Sequence, residues 1–161
     1  PSLPVKELYT IIEGESKGNT LAKNKNSKAV SLWQITPIAL KDLKEKNIVD
    51  KDLSLEKIRN MDAGKQMDLY SKYLDRWGYD GKMSLAILQA APKYRNSPDS
   101  TVVYRKGTKA YKQNSGWQPP NGGDITVRSI KNYYNRFRDR GLTSSLRPIL
   151  RPKELEEKKE G

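Results

Sequence analysis

The sequence predicts a mainly α-helical domain interrupted by one long polar loop region. Three observations carry that expectation: apolar residues recur three and four positions apart through most of the chain, only Thr101 to Tyr104 reads as a strand, and glycine or proline closes the periodic runs. At 161 residues the chain is long enough for a real core, and 35% apolar against 31% charged residues demands a small core under a heavily solvated surface.

The first periodic run is Leu8, Ile11 and Ile12. One further step along that face, seven residues after Leu8, arrives at Glu15, where the pattern calls for another aliphatic side chain. Burial among apolar neighbours disfavours the ionised form, so a Glu here is expected to keep its proton to higher pH than a solvated one, which suits a general acid. Glu13, two residues away, faces another side of the helix. The contrary expectation is a helix that frays before Gly18 and leaves Glu15 in solvent.

Ile38 to Lys46 is expected to be a short helix with Ala39, Leu40 and Leu43 on one side, followed by a polar turn around Asn47 to Asp52. The acids from Asp42 to Asp52 read as solvated. Leu55, Ile58 and Met61 lead into a long helix carrying Met67, Tyr70, Tyr73, Leu74 and Trp77, ended by Gly78. Met83 to Ala91 is the next helical run, and Pro92 stops it. Asn96 to Asp124 is a long polar loop rich in Gly and Pro, in which Tyr104, Tyr111 and Trp117 stand among Arg105, Lys106, Lys109 and Lys112. That composition suits stacking on sugar rings or bases. Asp124 is the expected N-cap of a last helix through Ile130, Tyr133, Tyr134 and Phe137. The expected organisation is one domain over residues 1–140 and a charged tail or linker over 141–161.

Composition excludes several chemistries. Cys and His are both absent, which removes disulfides, thiol nucleophiles, Cys or His metal sites and Ser-His or Cys-His pairs. No metal and no cofactor is expected, and catalysis falls to carboxylates, Lys or Tyr. No run is long and apolar enough to span a membrane, and Pro1-Ser2-Leu3-Pro4 does not read as a signal peptide. A chain opening on Pro without Met is expected to be a fragment of something larger. Residues 1–92 hold 15 basic and 12 acidic side chains and residues 93–161 hold 16 and 7, so +9 of the net +12 lies in the second part. Such a field gathers polyanions, whether nucleic acid or an anionic cell wall, without choosing between them.

Glu15-Ser16 leads through Asn19-Thr20 and Ala22 to Ala29-Val30-Ser31-Leu32-Trp33-Gln34, closed by Pro37. This stretch resembles the lysozyme-like domain of soluble lytic transglycosylases, where E-S-x-x-N-P-x-A-x-S is followed by G-A-x-G-L-M-Q and a Pro. Thr20 replaces the family's Pro, Asn24 its Ser, Ser31 its second Gly and Trp33 its Met, and the loop at Lys25 to Ser27 is one residue longer. Asn60 to Gly64 is similar to the family's N-I-x-x-G. The run Met83 to Ala91, stopped by Pro92, is similar to L-A-x-A-Y-N-A-G-P, with Leu88 and Gln89 at the Tyr and Asn positions. Of E-T-x-x-Y-V only Thr126 agrees.

The resemblance implies a mainly helical, α+β lysozyme-like fold with a substrate cleft, acting on the glycan strands of bacterial peptidoglycan at the cell wall or periplasm. It makes Glu15 the catalytic acid and then base. It makes Ser16, Asn24, Ser31, Leu32, Trp33, Gln34, Gln89, Ala90 and Tyr94 the candidate substrate-binding residues. Tyr94 is the candidate replacement for the hydroxyl lost at Leu88, and Trp33 is either a stacking surface or core. With one acid in the matched motifs, the expected products are 1,6-anhydro ends. A hydrolytic muramidase on the same fold is the alternative, and a non-catalytic basic module that binds nucleic acid non-specifically or serves structurally in a larger assembly is the rival from another class. The divergent motifs and missing signal peptide suit a domain carried with others in a phage virion or cell-wall protein.

Overall fold

Glu15 sits in the last turn of α1, Val5–Ser16, so the helix does not fray before it. Leu8, Ile11 and Ile12 are buried along α1 as their spacing demands. The helix stops because Lys17 and Gly18 take left-handed backbone angles, φ 54° and 82°, a conformation that glycine adopts without penalty. The computed structural model describes residues 3–138, and the tail expected over 141–161 lies outside them.

The chain separates into two compact units. Among the described residues, one contains 3–11 together with 79–138, and the other contains Ile12–Gly78. In the second unit, the end of α1 is followed by an irregular segment and then by α2 (Pro37–Glu45), α3 (Leu55–Arg59) and α4 (Ala63–Arg76). Leu55 to Met61 does not run on into the long helix. Asp62 takes an extended conformation and its carboxylate accepts the Lys65 amide at 2.9 Å, so α4 begins afresh at Ala63. A good N-cap overrides continued periodicity. The core of this unit is Ile12, Leu32, Trp33, Ile35, Leu43, Ile58, Tyr70 and Leu74, each no more than 1% exposed.

The other unit holds α5 (Leu85–Ala90), β1 (Val102–Tyr104), α6 (Lys109–Gln113), β2 (Ile125–Thr126) and α7 (Val127–Asn135), with 3₁₀ turns at Pro92–Tyr94 and Ser115–Trp117. β1 and β2 pair antiparallel, Val102 opposite Thr126 and Tyr104 opposite Ile125. The stretch read as a long loop is therefore folded into a strand, a helix and a turn. Ser84 caps α5, which starts two residues later than Met83. Asp124 is not the cap of α7. Thr126 is, in a reciprocal box in which its Oγ1 accepts the Ser129 amide at 3.1 Å and Ser129 Oγ accepts the Thr126 amide at 2.9 Å. Asp124 instead accepts the Lys106 amide at 2.7 Å and pins the end of the strand pair at which the connecting segment leaves and returns. Helices with a small two-stranded sheet make this the mainly α, lysozyme-like architecture expected.

Glu7, on α1, accepts the amide of Leu85 at 2.6 Å, a group with no partner inside its own helix. Burial pushes the Glu7 carboxyl above its ordinary value of 4.5, against the opposing pull of the Leu85 amide and of Lys131. A raised carboxyl stabilises the fold while it holds its proton, and that contribution is lost as pH rises through the folded pKa. Glu7→Gln keeps an acceptor and cannot ionise. Thermal melts from pH 4.5 to neutrality should therefore show the parent losing stability relative to the variant, and parallel curves would mean that the carboxylate is effectively solvated.

Candidate active site

The segment from Ser16 to Ile35 makes little regular structure, so its backbone groups need partners from outside. At its start, Ser16 Oγ donates to the Leu32 carbonyl at 2.7 Å and accepts the Gly18 amide at 3.2 Å, tying the end of α1 to the far end of the segment. Within it, the Ser31 amide reaches the Ala22 carbonyl at 2.9 Å, and Val30 bridges both Lys23 and Ile35. Asn24 closes an exposed turn, its side-chain oxygen accepting the amides of Asn26 and Ser27 at 2.9 and 3.0 Å.

The central partner is Gln66, fully buried on α4. Its Oε1 accepts the Leu32 amide at 3.0 Å. Its Nε2 lies 2.9 Å from the Thr20 carbonyl, 3.1 Å from that of Ile58 and 3.2 Å from that of Met61. Its main-chain carbonyl accepts the indole N–H of Trp33 at 3.0 Å. The Trp33 ring lies 5.1 Å from both Tyr70 and Tyr73, tilted against each.

Tyr73 connects this frame to Glu15. Burial raises the Tyr73 phenol far above its usual range, the negative charges of Asp42 and, more weakly, Glu15 push it further, and Arg76 opposes them. The Glu15 charge is thus felt at the Tyr73 ring. Asp42 is not the solvated acid expected. Arg76 grips it with two hydrogen bonds, at 2.8 and 3.0 Å, and holds its carboxyl below the ordinary value.

The candidate residues fall into distinct places. Glu15 and Ser16 are half-buried at the end of α1. Ser31, Leu32 and Trp33 have fully buried side chains that serve packing and offer substrate no side-chain surface. Gln34 is half-buried and folds back to donate to the Ser31 carbonyl at 3.0 Å. Gln89 and Ala90, closing α5, and Tyr94, whose ring carries the Lys93 ammonium 5.2 Å from its centre, belong to the other unit. Leu88 is core. Reading the sequence missed Gln66, although a signal was there: it lies four residues before Tyr70 on the apolar stripe of α4, a polar side chain where the pattern calls for an apolar one.

A half-buried Glu at the end of α1, followed by a segment tied down by hydrogen bonds, agrees with what comparison finds: the transglycosylase SLT domain matches residues 1–116. The chain belongs to this family. No curated protein and no solved structure matches it. Membership in the transglycosylase SLT family makes this a peptidoglycan-directed, glycan-cleaving domain. The matched stretch takes in every described residue of the unit that carries Glu15 and ends one residue before Trp117. No described helix of this SLT domain is long and apolar enough to cross a membrane.

Two substitutions test the frame. Ser31 has φ 78° with a side chain attached, and its buried Oγ has no hydrogen-bond partner among the described residues. Ser31→Gly relieves both faults and should raise unfolding stability by about 1 kcal/mol, whereas Ser31→Ala relieves only the second and should gain less. Identical urea midpoints for the two variants would deny the backbone strain. Gln66→Leu leaves the Leu32 amide and several carbonyls unsatisfied and should cost about 3 kcal/mol. A loss below about 0.5 kcal/mol would show that water reaches these groups.

Proposed function

We propose that this SLT domain breaks the β-1,4 bond between N-acetylmuramic acid and N-acetylglucosamine with Glu15 as its single acid and base. The proton of Glu15 passes to the glycosidic oxygen as the bond to the muramoyl anomeric carbon breaks through an oxocarbenium-like state. The carboxylate so formed then takes the proton of the muramoyl C6 hydroxyl, whose oxygen attacks the anomeric carbon. The product is a 1,6-anhydro ring, no water is consumed, and Glu15 ends protonated as it began.

The observation that carries this reading is the fate of Asp42. Asp42 and Glu15 both push the Tyr73 phenol upward, and Asp42 has both oxygens committed to Arg76. A carboxylate held as an anion by a guanidinium is a poor nucleophile and a weak base for water, so the internal hydroxyl, held close by the sugar itself, has the advantage. The hydrolytic alternative rests on Glu13, whose Oε2 is buried with no hydrogen-bond partner among the described residues. Two positions from Glu15, it points about 200° around the helix, which counts against a shared task.

Digestion of purified peptidoglycan tests both. Glu15→Gln should slow release at least about a hundredfold, because the amide keeps the shape and loses the transferable proton. Mass spectrometry should find muramoyl ends one water lighter than hydrolysed ones. Reducing ends that vanish in Glu13→Gln would make the enzyme a hydrolytic muramidase, and equal rates for Glu15→Gln and parent would remove Glu15 from the mechanism.

A further inference from the structure

Residues 93–138 carry ten basic and two acidic side chains, a surplus of eight positive charges. Both acids are already engaged. Asp99 holds Lys131 at 2.7 Å and Arg128 at 3.8 Å, and Asp124 accepts the Lys106 amide. Within this cationic stretch lies an aromatic pair unlike the tilted, buried cluster around Trp33. The rings of Tyr104 and Trp117 stack with 7° between their planes and 6.5 Å between centres, and each is only half-buried.

The pair is held in place by its surroundings. Tyr104 is fixed in β1 opposite Ile125. The Trp117 amide donates to the Asn114 carbonyl at 2.9 Å, and Gln118 Nε2 donates to the Tyr111 carbonyl at 3.0 Å. Gly116, between them, lies so close to Tyr133 that a Cβ there would stand 3.1 Å from its ring. Tyr111, which the sequence offered as a third stacking residue, is buried, and its hydroxyl donates to the Gly123 carbonyl at 3.0 Å. Its work is to brace the turn. Lys106 follows Tyr104 by two residues, and Lys109 and Lys112 lie on α6 just before the Trp117 turn; all three are exposed.

We propose that Tyr104 and Trp117, with Lys106, Lys109 and Lys112, form a second binding site for the peptidoglycan strand. A sugar ring lies on the aromatic surface through its axial C–H bonds, and the carboxylates of the peptide stems pair with the amines. The proposal rests on the reading that the substrate is peptidoglycan. Rings fixed before binding lose little conformational freedom when a ligand arrives, so even a small platform contributes usefully to affinity. Eight surplus charges favour an anionic polymer over a neutral one. Trp117 lies one residue past the stretch matched to the SLT family, whereas Tyr104 and the three lysines lie within it. The effect of the platform is to keep the domain on an insoluble polymer between cleavage events.

The test measures binding in the Glu15→Gln background, so that affinity is read without cleavage. Sacculi stripped of teichoic acid, chitin and single-stranded DNA are the three probes. Trp117→Ala should weaken binding to sacculi and to chitin about tenfold, while Trp117→Phe keeps most of it. The triple variant Lys106→Gln, Lys109→Gln, Lys112→Gln should weaken sacculus binding, as added salt does, and leave chitin binding unchanged. A thermal melt confirms that Trp117→Ala folds, and the lysine variant changes only exposed side chains. Unaltered sacculus affinity in both variants overturns the site while leaving the role of Glu15 intact. Single-stranded DNA bound more tightly than sacculi, in a manner that depends on Trp117, overturns it in favour of nucleic acid. An inactive parent that still binds sacculi through Trp117 refutes the catalytic reading alone.

Discussion

One buried carboxamide holds the candidate active site in shape. A segment as irregular as Ser16 to Ile35 cannot satisfy its own backbone, and an unpaired amide or carbonyl in a dry interior costs about 1 to 3 kcal/mol. Gln66 answers for several of these groups at once, taking the Leu32 amide and lying against the carbonyls of Thr20, Ile58 and Met61. No hydroxyl or charged side chain of similar reach combines an acceptor with two donors on one planar group. Because the same residue also receives the Trp33 indole on its main chain, the largest aromatic in the core is positioned by the same anchor. Ser16 then transmits that order to the end of α1 through the Leu32 carbonyl, one residue after Glu15. The acid is placed by hydrogen bonds made by its neighbours.

This explains which parts could be read from the sequence. Helices that depend on apolar spacing, α1, α2 and α4, were legible because periodicity is local. The position of Glu15 was legible for the same reason. Boundaries were less so: Asp62, Asp124 and Thr126 are all good N-cap residues, and the choice among them depends on which finds an amide to accept. Asp124 found Lys106, eighteen residues back, and left α7 to Thr126. The pairing of Asp42 with Arg76 joins residues thirty-four apart, and nothing local in either announces it. The Tyr104 and Trp117 stack likewise depends on how β1 and the following turn meet.

Substitutions relative to the family's motif take on physical meaning in this frame. Where the family has a second Gly, Ser31 accepts a left-handed backbone and buries an unpaired hydroxyl, two costs that only a strongly determined surrounding can impose. Where the family has Met, Trp33 fills the space against Tyr70 and Tyr73, its N–H satisfied by Gln66. A larger ring and a more constrained backbone make this segment stiffer than a flexible thioether and a glycine would.

The electrostatics separate two carboxylates that composition alone treats alike. Asp42 is held as an anion by a two-pronged guanidinium, and that pairing spends its charge locally. Glu15 has no such pairing with Arg76, and its charge adds weakly to the upward push on the Tyr73 phenol. A phenol pushed far above its usual range stays protonated at neutral pH, so Tyr73 is there a neutral neighbour and not a competing anion. Chemistry that needs one group to give a proton and take one back is served by this asymmetry, because the second carboxylate is kept from trading protons by the cation that grips it.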